Sequence, residues 1–120
     1  MLPAHLRMRR PADFAATIRG GSRAGRTTVV VHLRPTTDDG AQHVGFVVAR
    51  SVGGAVVRNR VRRRLRNVVV EQHDTWPTGV DVVVRALPPA AEATYADLAR
   101  DFSSAFSAAG RRAKARAVGL

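Results

Sequence analysis

Residues 50–66 contain the feature that most constrains how this chain can fold. This stretch holds seven arginines and no acidic residue, so it cannot neutralise its own charge. Apolar residues recur through and beyond it at spacings of four, four, three and one, at Val57, Val61, Leu65, Val68 and Val69. That is the period of an α-helix with one buried face. We therefore expect a helix from Ala55 to about His73 with an apolar back and a cationic front.

The polar residues of this helix fall on the side away from the apolar stripe. At roughly 100° per residue, five positions lie broadly opposite it, and they are Asn59, Arg60, Arg62, Arg63 and Arg66. Arg58 and Arg64 flank the stripe. A short basic run is usually a solvated surface, but seven uncompensated arginines favour a polyanion as the ligand, because phosphate oxygens relieve the repulsion between neighbouring guanidinium groups.

Backbone groups just before the helix add to this interpretation. Gly53 and Gly54 allow close approach of a ligand to the backbone, and the free N–H groups of the first helical turn favour an anion. Asn59 can exchange hydrogen bonds with a base or a 2′-hydroxyl group. The pattern predicts an RNA-binding helix.

Composition sets the remaining limits. The chain has 120 residues, a typical length for one domain, and 20 Lys+Arg against 9 Asp+Glu give a net charge of +11. It has no cysteine, so the fold depends on packing without disulfides. We find no signal peptide and no apolar stretch long enough to span a membrane, and we expect a soluble cytoplasmic protein.

Local patterns predict the other elements. Pro11 and the glycines at 20–21 bound a helix over residues 11–19, and apolar runs indicate strands at 27–33 and 44–49 that we expect to pair as an antiparallel hairpin. A buried strand is predicted at 80–86, and an extra short strand is possible near residues 22–23.

The last third of the chain predicts one more helix and a tail. Thr94 and Asp97 resemble a capping box, and an apolar stripe continues to Gly110, where we expect the helix to end. Residues 1–110 would form the single RNA-binding domain, and residues 111–120 a basic, flexible tail. The element order predicts an α+β fold, a two-layer sandwich.

No catalytic or metal motif stands out. The four histidines lack the spacing of a paired metal site, Asp38 and Asp39 are more typical of a turn, and Trp76 is expected to pack at the core edge. There is no phosphate-binding loop with Lys-Ser/Thr and no Ser/His/Asp arrangement. A self-sufficient enzyme is therefore not expected, and metal ligands in the protein are unknown.

The motif Gly53-Gly54-Ala55-Val56-Val57-Arg58-Asn59-Arg60, followed by Val61-Arg62-Arg63-Arg64-Leu65-Arg66, resembles the Arg-Asn-Arg signature of the bacterial ribonuclease P protein family. The resemblance extends over roughly residues 7–110 and includes the basic opening at residues 7–10 and the strand at 44–48. It implies an α-β-β-β-α-β-α sandwich with a left-handed βαβ crossover, a fold similar to a ribosomal protein domain.

The resemblance also implies a division of labour. A catalytic RNA subunit with Mg²⁺, held mainly by that RNA and the substrate, would remove the 5′ leader of precursor tRNA, and the protein would carry no catalytic residue. One protein would bind one RNA. RNA-binding residues would be Arg50, Arg58, Asn59, Arg60, Arg62, Arg63 and Arg66, and a cleft for the leader would be lined by Phe14, Ile18, Val29, Val31 and Val47. Ile18 and Val31 stand where some relatives carry Phe and Tyr, so apolar contact rather than stacking is expected there.

Two other functions fit the charge. A ribosomal or general RNA-binding protein without a processing role is the main alternative, and a DNA-compacting protein is the second. Binding to precursor tRNA that depends on leader length would favour the processing role. Binding to duplex DNA as tight as binding to structured RNA at the same salt would favour the DNA-compacting protein.

Overall fold

The computed structural model describes residues 2–37 and 40–118, and the predicted turn residues Asp38 and Asp39 lie outside them. Within this part of the chain the α-helices are α1 (Pro11–Gly20), α2 (Ala55–Gln72) and α3 (Tyr95–Val118). The strands are β1 (Ser22–Gly25), β2 (Val29–Pro35), β3 (Gln42–Val47) and β4 (Val80–Ala86). The predicted α+β order is confirmed, including the short strand at the position of β1.

The strands form one mixed sheet in the order β1-β2-β4-β3. β1 and β2 pair antiparallel through a tight turn, in which Arg26 N–H donates to the carbonyl oxygen of Val29 at 2.8 Å. β2 also pairs antiparallel with β4, and β3 lies parallel to β4. The predicted hairpin between β2 and β3 is therefore wrong, because the valine-rich β4 takes the central position between them.

The two faces of the sheet are covered differently. Alternate residues of the four strands, among them Val31, Val44 and Val82, join the main core together with α2 and α3. α1 packs on the other face, where the ring of Phe14 lies so close to Gly45 that a Cβ atom there would be 2.3 Å from it. On this second face the register aligns one residue from each strand in the row Arg23, His32, Val83 and Gly45.

α3 begins with the predicted capping box. Thr94 Oγ1 accepts the N–H of Asp97 at 3.1 Å, and the Asp97 carboxylate accepts the N–H of Thr94 at 3.2 Å. These bonds, followed by the Arg100 guanidinium, lower the pKa of Asp97. The predicted packing of Trp76 is also confirmed, since its ring is buried and stacks on Phe106 with centroids 4.6 Å apart.

α3 does not end at Gly110, as the sequence pattern predicted, but continues to Val118. Gly110 lies inside the helix and does not end it. The following residues alternate alanine, which has the highest helix propensity, with cations that interact favourably with the C-terminal end of the helix dipole.

The N-terminal segment packs along the free edge of β3. The N–H of Met8 donates to the carbonyl oxygen of Val44 at 2.9 Å, and Arg7 forms a parallel bridge with Val44. Leu2 and Leu6 are buried in the core. This segment therefore brings Arg7 beside the sheet, an arrangement that the sequence pattern did not predict.

Candidate nucleic-acid interface

α2 presents a continuous cationic surface to solvent. Its apolar residues Val61, Leu65 and Val68 are buried, whereas Asn59, Arg63 and Arg66 are exposed and Arg62 is half-buried. Arg62 Nη1 donates to Asn59 Oδ1 at 3.0 Å, which holds the two side chains together. We call Asn59, Arg62, Arg63 and Arg66 the cationic face of α2. Arg50 lies exposed in the short 3₁₀ turn Arg50–Val52 that precedes the helix.

Two arginines of the signature turn towards the protein instead. Arg60 Nη2 donates to the carbonyl oxygen of Ala91 at 3.1 Å, and Arg64 Nη1 donates to that of Ala93 at 3.0 Å. Both side chains are half-buried and fasten α2 to the segment before α3. Arg60 therefore does not lie on the free side of the helix as the helical wheel predicted. Its Nε and that of the half-buried Arg58 are buried without a hydrogen-bond partner in the described chain.

The cationic face of α2 adjoins aromatic side chains near β3. Arg62 and Arg66 line a depression together with Arg7, Phe14 and Phe46. Partial burial, followed by the charges of Arg62 and Arg7, lowers the pKa of Arg66, although arginine stays protonated at any physiological pH. Three guanidinium groups from two elements thus converge beside two rings, which suits a phosphate next to a base.

Three of the five residues predicted to line the leader cleft are accessible. Phe14 and Ile18 of α1 and Val47 of β3 are half-buried and accessible. Val29 and Val31 are 0% exposed and belong to the core on the opposite face of the sheet, so the prediction that they line the cleft is wrong. Side chains alternate along a strand, and the phase of β2 places Val30 and His32 on the α1 side instead. We call the α1 side of the sheet, with Phe14 and Ile18 of α1, Val47 of β3 and the buried His32 of β2, the α1 cleft.

His32 is the residue that sequence reasoning missed. It is only 3% exposed, and neither ring nitrogen has a hydrogen-bond partner among the described residues. Burial, then the charges of Arg85 and Arg23, lower its pKa, so the ring is neutral at physiological pH. A neutral imidazole has one N–H donor and one acceptor, and leaving them unpaired is costly. Strand alternation groups His32 with Val30 and separates both from Val29 and Val31, but the sequence pattern does not say which pair lies on the α1 side.

Neither surface resembles a metal centre. Within residues 2–37 and 40–118 no three His, Asp or Glu side chains converge to hold an ion. The buried carboxylate of Asp81 is already paired with Arg34 at 2.7 Å and lies 3.1 Å from His43 Nδ1. In the same part of the chain, no helix has the length and apolar character needed to cross a bilayer.

The fold and these surfaces define a small, basic RNA-binding protein that offers an arginine-rich helix beside a partly aromatic cleft. Comparison with known proteins gives the family. The ribonuclease P family model matches residues 2–110. The ribonuclease P protein component of Kocuria rhizophila is 52% identical over 112 residues, which cover 93% of this chain and 98% of that protein. The component of Streptomyces bikiniensis is 51% identical over 113 residues, covering 88% and 92%. The chain belongs to the ribonuclease P protein family and is the protein subunit of that ribonucleoprotein.

Solved structures agree with this fold. The ribonuclease P protein of Staphylococcus aureus superposes with a TM-score of 0.77 at 23% identity, covering 87% of this chain and 94% of that one. The protein from Thermotoga maritima gives a TM-score of 0.72 at 24% identity, covering 82% and 92%. The alternative of a ribosomal or general RNA-binding protein is not favoured.

Proposed function

We propose that this chain docks on the catalytic RNA of ribonuclease P through α2 and binds the 5′ leader of precursor tRNA in the α1 cleft. The observation that carries the proposal is the placement of the two surfaces. Arg62 and Arg66 of α2 line the same depression as Phe14 of the cleft, so one RNA-binding surface continues into the other. No acidic residue of α2 compensates its cationic face, since the helix holds only Glu71, near its end.

The chemistry of the side chains supports a binding role. The two surfaces consist of guanidinium, amide, imidazole and apolar groups, which bind phosphates and bases and include no carboxylate that would hold Mg²⁺. We therefore assign the Mg²⁺ ions mainly to the RNA subunit and the substrate, and phosphodiester cleavage to that RNA. The protein binds and orients the RNA chains and supplies no nucleophile. We further propose that one protein binds each RNA subunit and that the complex acts in the cytoplasm.

Reconstitution tests this proposal. The catalytic RNA alone should process precursor tRNA slowly at low Mg²⁺, and adding the protein should raise the rate and tighten binding of precursor relative to mature tRNA. The rigorously RNA-free protein should cleave nothing. The assignment is contradicted if the protein changes neither the cleavage rate nor the precursor binding of the RNA subunit on any precursor. It is also contradicted if the protein removes the leader without RNA.

A further inference from the structure

The last turns of α3 form a second cationic surface, separate from α2. Residues 111–118, which we call the C-terminal arm, contain no acidic residue. Their four cations are all exposed, and they are Arg111, Arg112, Lys114 and Arg116. Ala113 of the arm is partly buried and packs against the core. Like charges at these spacings repel one another in a free helix, and phosphates would relieve that repulsion.

The arm is fastened to the outer edge of the sheet. Ser22 Oγ donates to the carbonyl oxygen of Ala109 at 2.6 Å, immediately before the arm. Within the arm, the guanidinium of Arg112 donates to the backbone oxygen of Arg23. Arg116 borders a groove with Gly20 and Arg34, where α1 ends. The arm therefore has a defined position beside β1 rather than an arbitrary one.

That position continues the α1 cleft. Arg23 of β1 is directly opposite His32 of β2 in the register, so its exposed side chain belongs to the sheet face that forms the cleft. The row runs from Gly45, under Phe14, through His32 to Arg23. A single strand of RNA that crosses the sheet along this row leaves it at β1, where Arg112 is anchored.

The cationic face of α2 lies at the other edge of the sheet. Arg62 and Arg66 line a depression with Val44 and Phe46 of β3, whereas the arm contacts β1. β3 and β1 are the two outer strands of the sheet. An RNA subunit docked on α2 and a leader that leaves the cleft past β1 are thus on opposite sides, and the arm faces the leader.

We propose that the C-terminal arm is a second RNA-binding surface, which binds phosphates of the 5′ leader after it leaves the α1 cleft past Arg23. The inference rests on the proposed function, because it takes the leader as the RNA in the cleft. Arg111, Lys114 and Arg116 supply the phosphate contacts, and Arg112 holds the arm against β1. The arm therefore adds affinity only for leaders long enough to reach it.

The test combines two leader lengths with one triple variant. Arg111→Gln, Lys114→Gln and Arg116→Gln together remove three cations and keep Arg112. Binding by the holoenzyme is measured for precursors with leaders of about 4 and about 16 nucleotides, the two ends of the range of single-strand site sizes. At about 0.7 per phosphate contact, the salt slope for the long leader should flatten by roughly two units. When the salt concentration rises from about 50 to about 200 mM, the factor by which affinity falls should therefore be roughly 20 times smaller for the variant than for the original chain. Binding of the short leader should not change.

A matched variant and a direct measurement complete the design. Arg111→Lys with Arg116→Lys keeps both charges and should retain long-leader binding. A photoreactive nucleotide near the 5′ end of the long leader should crosslink to the arm, whereas one beside the cleavage site should not. Unchanged affinity of the triple variant for the long leader, an equal loss on both leaders, or absence of the distal crosslink overturns the inference. Failure of the proposed function is different, because the original chain would then not assist the RNA subunit on either precursor.

Discussion

At the scale of single residues, Gly45 sets how closely α1 can approach the sheet. A Cβ atom at this position would lie 2.3 Å from the Phe14 ring, so Gly45→Ala must displace that ring. Overpacking of this kind costs about 1–3 kcal/mol. We expect urea unfolding to show this loss. Gly20→Ala is the control, because nothing lies within 4 Å of its Cβ position, and an equal effect of both changes would show that Gly45 has no special role.

His32 predicts how stability depends on pH. Its pKa in the folded chain lies below the ordinary value of 6.5, so the unfolded state takes up a proton more readily as the pH falls through that value. The free energy of unfolding should therefore decrease between about pH 7 and pH 5, where histidine titrates. His32→Phe removes the titrating group and should reduce this decrease in equilibrium unfolding measured across the range. If the free energy of unfolding depends on pH identically in the original chain and in His32→Phe, the His32 ring is solvated in the folded protein and the prediction is wrong.

At the scale of elements, α2 divides its arginines between stability and binding. Arg64 donates to the carbonyl oxygen of Ala93 at 3.0 Å, whereas Arg63 is exposed on the cationic face. Arg64→Gln should lower the free energy of unfolding by about 1 kcal/mol, because a half-buried carbonyl loses its donor. Arg63→Gln should change it by less than about 0.5 kcal/mol and weaken RNA binding instead. Thermal melts and RNA titrations of both variants check this division, which a reversed pattern would refute.

The sequence predicted the helices and strands well because their signals are local. The stripe of α2, the capping box at Thr94 and the valine run of β4 each specify one element by their own period. Pairing is different, because β2 and β4 are adjacent in the sheet although β3 and α2 separate them in the sequence, and no local pattern contains that information.

The same reasoning explains the errors in the predicted site. The family resemblance assigned Val31 to the cleft. In the observed register His32 takes that side of the sheet, because successive side chains of β2 point to opposite faces and a shift of one residue exchanges them. The helical wheel of α2 likewise contains no information about the segment that accepts hydrogen bonds from Arg60 and Arg64. Arg7 reached the site only through the packing of the N-terminal segment along β3.

At the scale of the whole molecule, a net charge of +11 on 120 residues makes some attraction to any RNA unavoidable. The specific claim is that docking on the catalytic RNA depends on the cationic face of α2. General attraction depends on the number of charges, whereas docking depends on their position. Two triple variants that remove the same charge from different surfaces therefore distinguish the two.

The most direct measurement is the salt dependence of affinity for the catalytic RNA without substrate. Arg62→Gln, Arg63→Gln and Arg66→Gln together should flatten the slope of log K against log salt by roughly two to three units, at about 0.7–0.9 for each phosphate contact. The matched control replaces Arg19, Arg85 and Arg100, which are exposed and outside α2, by Gln. We predict a slope for the control close to that of the original chain. If the control flattens the slope as much as the α2 variant does, binding follows total charge and α2 is not the docking surface.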